Sequence, residues 1–93
     1  MRNWRCSLSE RVIEERTLEP GRSTQFGAPF NAVTQRPRLA VRINVPGHVQ
    51  NQVECEEALL GDREQPARCH RVFRVQNRSS WTAFVTFVEL LED

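Results

Sequence analysis

The sequence predicts a mainly β fold, a small antiparallel sheet or sandwich built from hairpins, with room for one short helix. Three observations favour this class. Apolar and polar residues alternate in several segments, Gly and Pro interrupt the chain at short intervals, and the sequence contains no heptad or internal repeat. We place the 93 residues in one domain, 1–93. A chain of this size buries roughly 65% of its unfolded surface, which suffices for one modest core.

The N-terminal segment supports two interpretations. Trp4, Cys6 and Leu8 alternate with polar residues as in a strand, for which 12–18 is the natural partner. Ser7 followed three residues later by Glu10 also fits a helix capping box, which would make 10–17 a short helix. The pattern leaves both open.

The next segment, 19–37, is rich in Gly, Pro, Ser, Thr and Asn, with two aromatic residues, Phe26 and Phe30. We expect a long connection held down by these two rings. Loops of that length inside a compact domain are uncommon and are often functional. We therefore expect a binding loop, if the chain has one, in this segment.

The strongest alternation in the chain lies at 39–45, where Leu39, Val41, Ile43 and Val45 share one face. A second alternating segment, 49–55, follows Pro46-Gly47-His48. A three-residue loop keeps polar residues off the buried face, and it pairs Val45 with Val49, Ile43 with Asn51, Val41 with Val53, and Leu39 with Cys55. The rival is an α+β fold with a helix at about 49–60, where several residues favour helix.

A second hairpin is predicted between 69–76 and 81–91, joined by a turn at 77–80. The segment 81–91 is apolar on both sides. Trp81, Ala83, Val85 and Phe87 share one side, and Phe84, Val88 and Leu90 lie on the other. Such a strand needs cover on both faces, so we place it at the centre of a sandwich or in a homodimer interface.

The charged residues are unusual in their types and in their distribution along the chain. All thirteen basic residues are Arg, and the net charge is only +1. The segments 20–53 and 67–88 carry arginines without any acid, whereas 54–66 is acidic. We expect the opposite blocks to pair within the fold, because a dedicated nucleic-acid binder usually has an excess of cations.

The sequence offers little for catalysis. The cysteines and histidines that could ligate zinc lack the close spacing of a zinc knuckle, and adjacent Cys69 and His70 point to opposite faces of a strand. Neighbouring acids do not face each other, and no phosphate-binding glycine loop is present. We therefore expect no enzyme, no cofactor and no metal site.

These observations favour a non-catalytic protein-interaction or assembly module, such as a small accessory or inhibitor protein, that binds another protein. The residues expected to contact the partner are aromatic or basic: Phe26, Phe30, Arg36, Arg38, Arg42, Arg71, Arg74, Arg78 and Trp81. The alternative is a nucleic-acid-binding domain. It would use Arg68, Arg71 and Arg74, which flank Phe73 and Trp81, together with Arg36, Arg38 and Arg42.

The N-terminus lacks the apolar region of a secretory signal, and no apolar run is long enough to cross a bilayer. We expect a cytoplasmic protein that does not bind a membrane. Three cysteines are too few for a disulfide scaffold. A bridge between Cys55 and Cys69 stays open at this point, and it would form only in an exported chain.

Overall fold

The computed structural model describes residues 8–61 and 64–92, and this part of the chain is mostly β-strand. Two 3-10 helices, Gly47–Gln52 and Pro66–Arg68, are its helical turns. The strands are β1 Leu8–Leu18, β2 Ser23–Phe30, β3 Leu39–Asn44, β4 Val53–Leu60, β5 Cys69–Asn77 and β6 Ala83–Glu92. The predicted mainly β, antiparallel class is confirmed. None of the described residues forms a helix of the length and apolarity that a membrane span requires.

The strands form two antiparallel sheets of three strands each. The first sheet has the order β1-β6-β3, and the second has the order β2-β5-β4. Each strand and the next one along the chain lie in different sheets, except that β4 is followed by β5 in the same sheet. The two sheets pack face to face as a small sandwich, with β6 and β5 at their centres.

The core lies between the two sheets. The ring of Phe26 on β2 stacks on Phe87 of β6 with 4.6 Å between centroids, and Phe73 of β5 lies 6.2 Å from Phe87. Around them pack further buried residues of both sheets: Leu18, Leu39, Val75, Ala83 and Val85. Burying such side chains stabilises the fold by about 1.5–3 kcal/mol each. The predicted inward faces of 39–45 and of 83–87 are confirmed.

Both predicted hairpins are wrong in their pairing. β3 does not pair with β4 but with β6, so that Val41 lies opposite Phe87. β4 instead pairs with β5, which places Cys55 opposite Val75. The 3-10 helix Gly47–Gln52 replaces most of the predicted loop and also 49–52 of the predicted strand 49–55, which is wrong over those residues. This helix carries the chain from one sheet to the other.

The same crossing happens after β5, whose partners are β2 and β4 and not β6. The rival helix at 49–60 is also wrong, because 53–60 is a strand. The physical reason is common to these errors. The two sheets of a sandwich share one core, so alternation reports which side chains face inward but not which strand lies alongside.

The first third of the chain differs from its predictions as well. Residues 8–18 form one strand, so the helix at 10–17 is wrong, and the partner of this strand is β6. Trp4 and Cys6 lie outside the described residues. The long connection at 19–37 is wrong, because 23–30 is β2. A turn at 19–22 and a second one after β2 remain. In the second turn Asn31 pairs with Arg36, and the Asn31 side chain accepts hydrogen bonds from the main-chain amides of Val33 and Thr34.

One arginine closes the sandwich on the side of β1 and β2. Arg16 of β1 donates to the Thr24 hydroxyl at 2.7 Å and to the Gln25 carbonyl at 3.0 Å, both on β2. The same guanidinium donates to the carboxylate of Glu14 at 3.0 Å. This contact joins the edges of the two sheets. The opposite side, between β3 and β4, is more open, since the inward-facing Cys55, Glu57 and Leu59 of β4 are exposed.

Candidate functional site

The two outer faces of the sandwich differ along their central strands. The outer face of the first sheet, here called the A-face, is apolar along its central strand. Side-chain alternation and the strand register assign eleven residues to it: Glu10, Val12, Glu15, Thr17, Ala40, Arg42, Asn44, Phe84, Thr86, Val88 and Leu90. A row of apolar residues, Val12, Val88 and Ala40, crosses all three strands.

The outer face of the second sheet, the B-face, is mostly polar. Its central strand presents His70, Val72, Arg74 and Gln76. Ser23, Gln25, Gly27 and Pro29 flank it on β2, and Glu54, Glu56, Ala58 and Leu60 flank it on β4, where Leu60 is 56% exposed. Most of these side chains are exposed. A mostly polar central strand is the ordinary solvent-facing pattern of an antiparallel sheet, whereas the central strand of the A-face presents Phe84, Val88 and Leu90.

Two large apolar side chains of the A-face are half exposed. Val12 is 54% exposed and Phe84 is 52% exposed, and Ile13 at the neighbouring bulge is 38% exposed. Phe84 borders an open depression of about 370 Å³ that is also lined by Glu15, Thr17 and Thr86. Exposed apolar surface with a charged rim is typical of a protein contact surface.

An ion pair covers the middle of the A-face. Arg42 of β3 donates from Nε to Glu10 of β1 at 3.0 Å, and its terminal nitrogen contacts the same carboxylate. Arg42 lies opposite Thr86 and Glu10 lies opposite Leu90, so the pair spans β6 above Val88. This explains why Val88 is only 1% exposed although it faces outward. The prediction that 81–91 needs cover on both faces is thus met in part within the chain, and Phe84 is left uncovered.

The arginines predicted as contact residues are largely engaged with acids. Arg42 pairs with Glu10, Arg71 pairs with Glu57 at 2.6 Å, and Arg78 pairs with Glu54 at 3.0 Å. Arg74 lies on the exposed B-face opposite Glu56. Arg36 and Arg38 flank the short turn before β3, are exposed, and have partners of their own. The described arginines therefore alternate with acids and do not form one basic groove.

The aromatic residues of the predicted site fall into two groups. Phe30 is 5% exposed and Phe26 stacks on Phe87, so both belong to the core and not to a surface loop. Trp81 is 50% exposed and contacts the His48 ring edge-on, with 5.7 Å between centroids. Of the predicted aromatic contacts, only Trp81 offers an exposed surface.

The side chain of Arg71 lies against core aromatic residues. Its guanidinium lies 5.2 Å from the centroid of Phe30 and 5.6 Å from that of Phe73, while Glu57 accepts two of its hydrogen bonds. These contacts combine an ion pair with cation–π stacking. Arg71 thus covers the open end of the core, and its charge is neutralised there.

Cys55 and Cys69 are both free. Cys55 lies opposite Val75, six residues along β5 from Cys69, which corresponds to roughly 20 Å. A disulfide requires Cα atoms less than about 7 Å apart, so this fold does not bridge the two thiols. Burial raises the pKa of the Cys55 thiol, and the carboxylates of Glu57 and Glu56 raise it further. A raised pKa makes a thiol less nucleophilic at neutral pH.

Within 8–61 and 64–92, no three of the His, Cys, Asp and Glu side chains are grouped so that they would hold a metal ion. Cys69 is buried while adjacent His70 is exposed, in agreement with their predicted opposite directions. Sequence reasoning did not select Val12 and Phe84 as contact residues. The two-sided apolar pattern of 81–91 was the signal that could have identified Phe84. Comparison with protein-family models, with curated proteins and with solved structures finds no match for this chain.

Proposed function

We propose that this chain is a non-catalytic protein-binding module whose contact surface is the A-face. The observation that carries the proposal is the contrast between the two outer faces. Each face exposes one large apolar side chain on an edge strand, Val12 on the A-face and Leu60 on the B-face, so the contrast lies on the central strands. There β6 exposes Phe84, whereas the exposed side chains of β5 are His70 and Arg74. A partner that covers Val12 and Phe84 would remove this apolar surface from water.

The charges around the A-face support a protein partner over a polyanion. The Arg42–Glu10 pair crosses the A-face above Val88, and Glu15 lies in the row between Val12 and Phe84, so both signs of charge lie beside the exposed apolar side chains. A phosphate backbone would be repelled by the carboxylates and would have to compete with them for the arginines. A protein surface with its own mixed rim is the better complement.

The state of the cysteines supports a cytoplasmic setting, which we also propose. Cys55 and Cys69 are both free and lie too far apart to be bridged. Free thiols are the usual state in a reducing compartment.

The proposal is tested by comparing variants of the two faces in capture experiments from cells that express the chain natively. The test variant is Phe84→Ser, combined with Val12→Ser. The matched control is Val72→Ser on the B-face. Partner proteins should be retained by the wild type and by the control and lost by the A-face variant. Retention by the A-face variant with loss by the control would overturn the assignment.

The nucleic-acid alternative is separated by titrating the protein with single-stranded and double-stranded oligonucleotides at two salt concentrations. Phosphate binding weakens steeply as salt rises. We expect no salt-dependent binding in either titration. Tight binding at low salt that weakens in variants of Arg36, Arg68 and Arg74 would instead support the nucleic-acid-binding alternative.

A further inference from the structure

The free edge of β3 presents unpaired main-chain groups that can be identified from the register. The amide of Leu90 donates to the Arg38 carbonyl at 2.8 Å, so Arg38 directs its main-chain groups toward β6. In an antiparallel ladder alternate residues direct theirs to opposite edges. Because the β3–β6 register has no shift, Leu39, Val41 and Ile43 direct their N–H and C=O groups away from the sheet.

The other three edge strands of the described fold carry features that disfavour strand addition. β1 has a bulge at Ile13, and the Gln25 carbonyl of β2 accepts a hydrogen bond from Arg16. β2 also contains Pro29, which has no N–H to donate. β4 carries three acids, Glu54, Glu56 and Glu57. Bulges, prolines and charges are the usual protection of sheet edges.

β3 has none of these features within Leu39–Asn44 except one charge, Arg42, whose side chain is held by Glu10 on the outer face. The core beside β3 is also incomplete. Val41 and Ile43 face inward but are only partly buried, and inward-facing Leu59 of β4 is 52% exposed. A strand added to β3 would pair with the free groups and cover this opening.

We propose that the strand added to β3 is β3 of a second copy, which joins the two A-faces into one six-stranded antiparallel sheet. A two-fold axis at Val41 pairs Val41 with its own copy and Leu39 with Ile43 of the other chain. Each pair exchanges two main-chain hydrogen bonds, giving about six in all. The same register keeps inward side chains on the inward face.

The charges select this register and this strand. In the Val41 register Ala40 lies opposite Arg42, so no like charges face each other. Shifting the axis to Arg42 would place two arginines directly opposite, which is unfavourable. Pairing β4 with β4 would bring together two strands that each carry three acids. This dimer differs from one through 81–91, because both edges of β6 are already paired within the chain.

The inference is independent of the partner-binding role of the A-face, and its test needs no unidentified ligand. Amide hydrogen exchange of the full chain is measured by NMR from the micromolar to the millimolar range, alongside sedimentation equilibrium. The amides of Leu39, Val41 and Ile43 should become protected as the concentration rises and the mass doubles. Those of Ala40 and Arg42 bond to β6 in both states and serve as the internal control.

A variant provides the second arm. Val41→Pro removes one donor from each copy at the axis without touching the β6 ladder, and it should weaken dimerisation by about 30-fold. Cys55→Pro removes an equivalent edge donor from β4 and should leave the dimer intact. A chain that stays monomeric at millimolar concentration overturns the proposal. So does a dimer in which the Val41 amide remains unprotected, or one that Val41→Pro leaves unchanged. Loss of partner capture in Phe84→Ser would not affect any of these readouts.

Discussion

The side-chain amide of Asn77 donates a hydrogen bond to the main-chain carbonyl of Leu18 at 3.0 Å, which links the end of β5 to the end of β1 in the other sheet. The same amide donates to the Trp81 carbonyl at 2.8 Å, and its oxygen accepts from the amide and hydroxyl of Ser79. Asn77 is 0% exposed. Its side chain thus organises the crossing from β5 to β6, where sequence reasoning expected only a hairpin turn.

Replacing Asn77 should strongly destabilise the fold. Asn77→Ala removes the buried hydrogen bond to the Leu18 carbonyl and one of the two donors to the Trp81 carbonyl, and it leaves a cavity at a fully buried position. We therefore expect a loss of about 2–4 kcal/mol in the free energy of unfolding. Chemical denaturation measures this loss. Asn51→Ala, at an exposed position, is the control and should change stability by less than about 0.5 kcal/mol. Equal effects of the two substitutions would contradict the role assigned to Asn77.

Arg71 should contribute more to stability than other paired arginines. Its side chain is 25% exposed and lies against Phe30 and Phe73, whereas Arg78 is 62% exposed. We expect Arg71→Ala to cost about 1–2 kcal/mol, because it removes packing as well as charge. Arg78→Ala should cost at most about 0.5 kcal/mol. Thermal unfolding of both variants checks the order, and the reverse order would refute it.

A glycine is required at position 61 because the main chain there lies against Cys69. A Cβ at this position would lie 2.6 Å from the Cys69 sulfur and 3.1 Å from its Cα. Since Cys69 is buried, we expect Gly61→Ala to cost about 1–3 kcal/mol. Cys69→Ala should recover part of this cost by removing the sulfur. Gly47→Ala meets open space and serves as the control. A Gly61→Ala variant as stable as Gly47→Ala would contradict a tight contact at this position.

The Cys55 thiol should react slowly for an exposed cysteine. Burial and the carboxylates of Glu57 and Glu56 raise its pKa, so less thiolate is present at neutral pH than in an ordinary peptide. Alkylation at Cys55, followed by peptide mass spectrometry across pH, should show its midpoint shifted upward. Glu56→Gln should lower the pKa and speed the reaction. A rate that Glu56→Gln leaves unchanged would argue against the electrostatic cause.

Local sequence patterns predicted strands that largely match β3, β5 and β6, but the strand expected at 49–55 overlaps β4 only at 53–55, and the predicted partners were wrong. The alternation at 39–45 and the apolar residues of 83–87 identified inward faces correctly. Pairing depended on contacts between distant residues, such as Val41 with Phe87, which local patterns do not encode. In the same way, the sequence predicted Phe30 in a loop, but Phe30 lies on β2 and its side chain is buried in the core.

The candidate site could be predicted only in part. The two-sided apolar character of 81–91 indicated an interaction surface, but the ion pair of Arg42 with Glu10 that covers Val88 joins residues on separate strands. Such a pair becomes visible only once the strand order is known. The expectation that opposite charge blocks would pair within the fold agrees with the Arg71–Glu57 and Arg78–Glu54 pairs. The Arg11–Glu89 and Arg42–Glu10 pairs neutralise charge as well, but they do not join the predicted blocks.

Site-specific photo-crosslinking in the native cells tests the central claim most directly. A photoreactive phenylalanine analogue is placed at Phe84 on the A-face and, in a second variant, at Gln76 on the B-face. The A-face position should form covalent adducts with another polypeptide, and the B-face position should not. Adducts that form at Gln76 and not at Phe84 would contradict the assignment of the A-face as the protein contact surface, as would adducts with nucleic acid at Phe84.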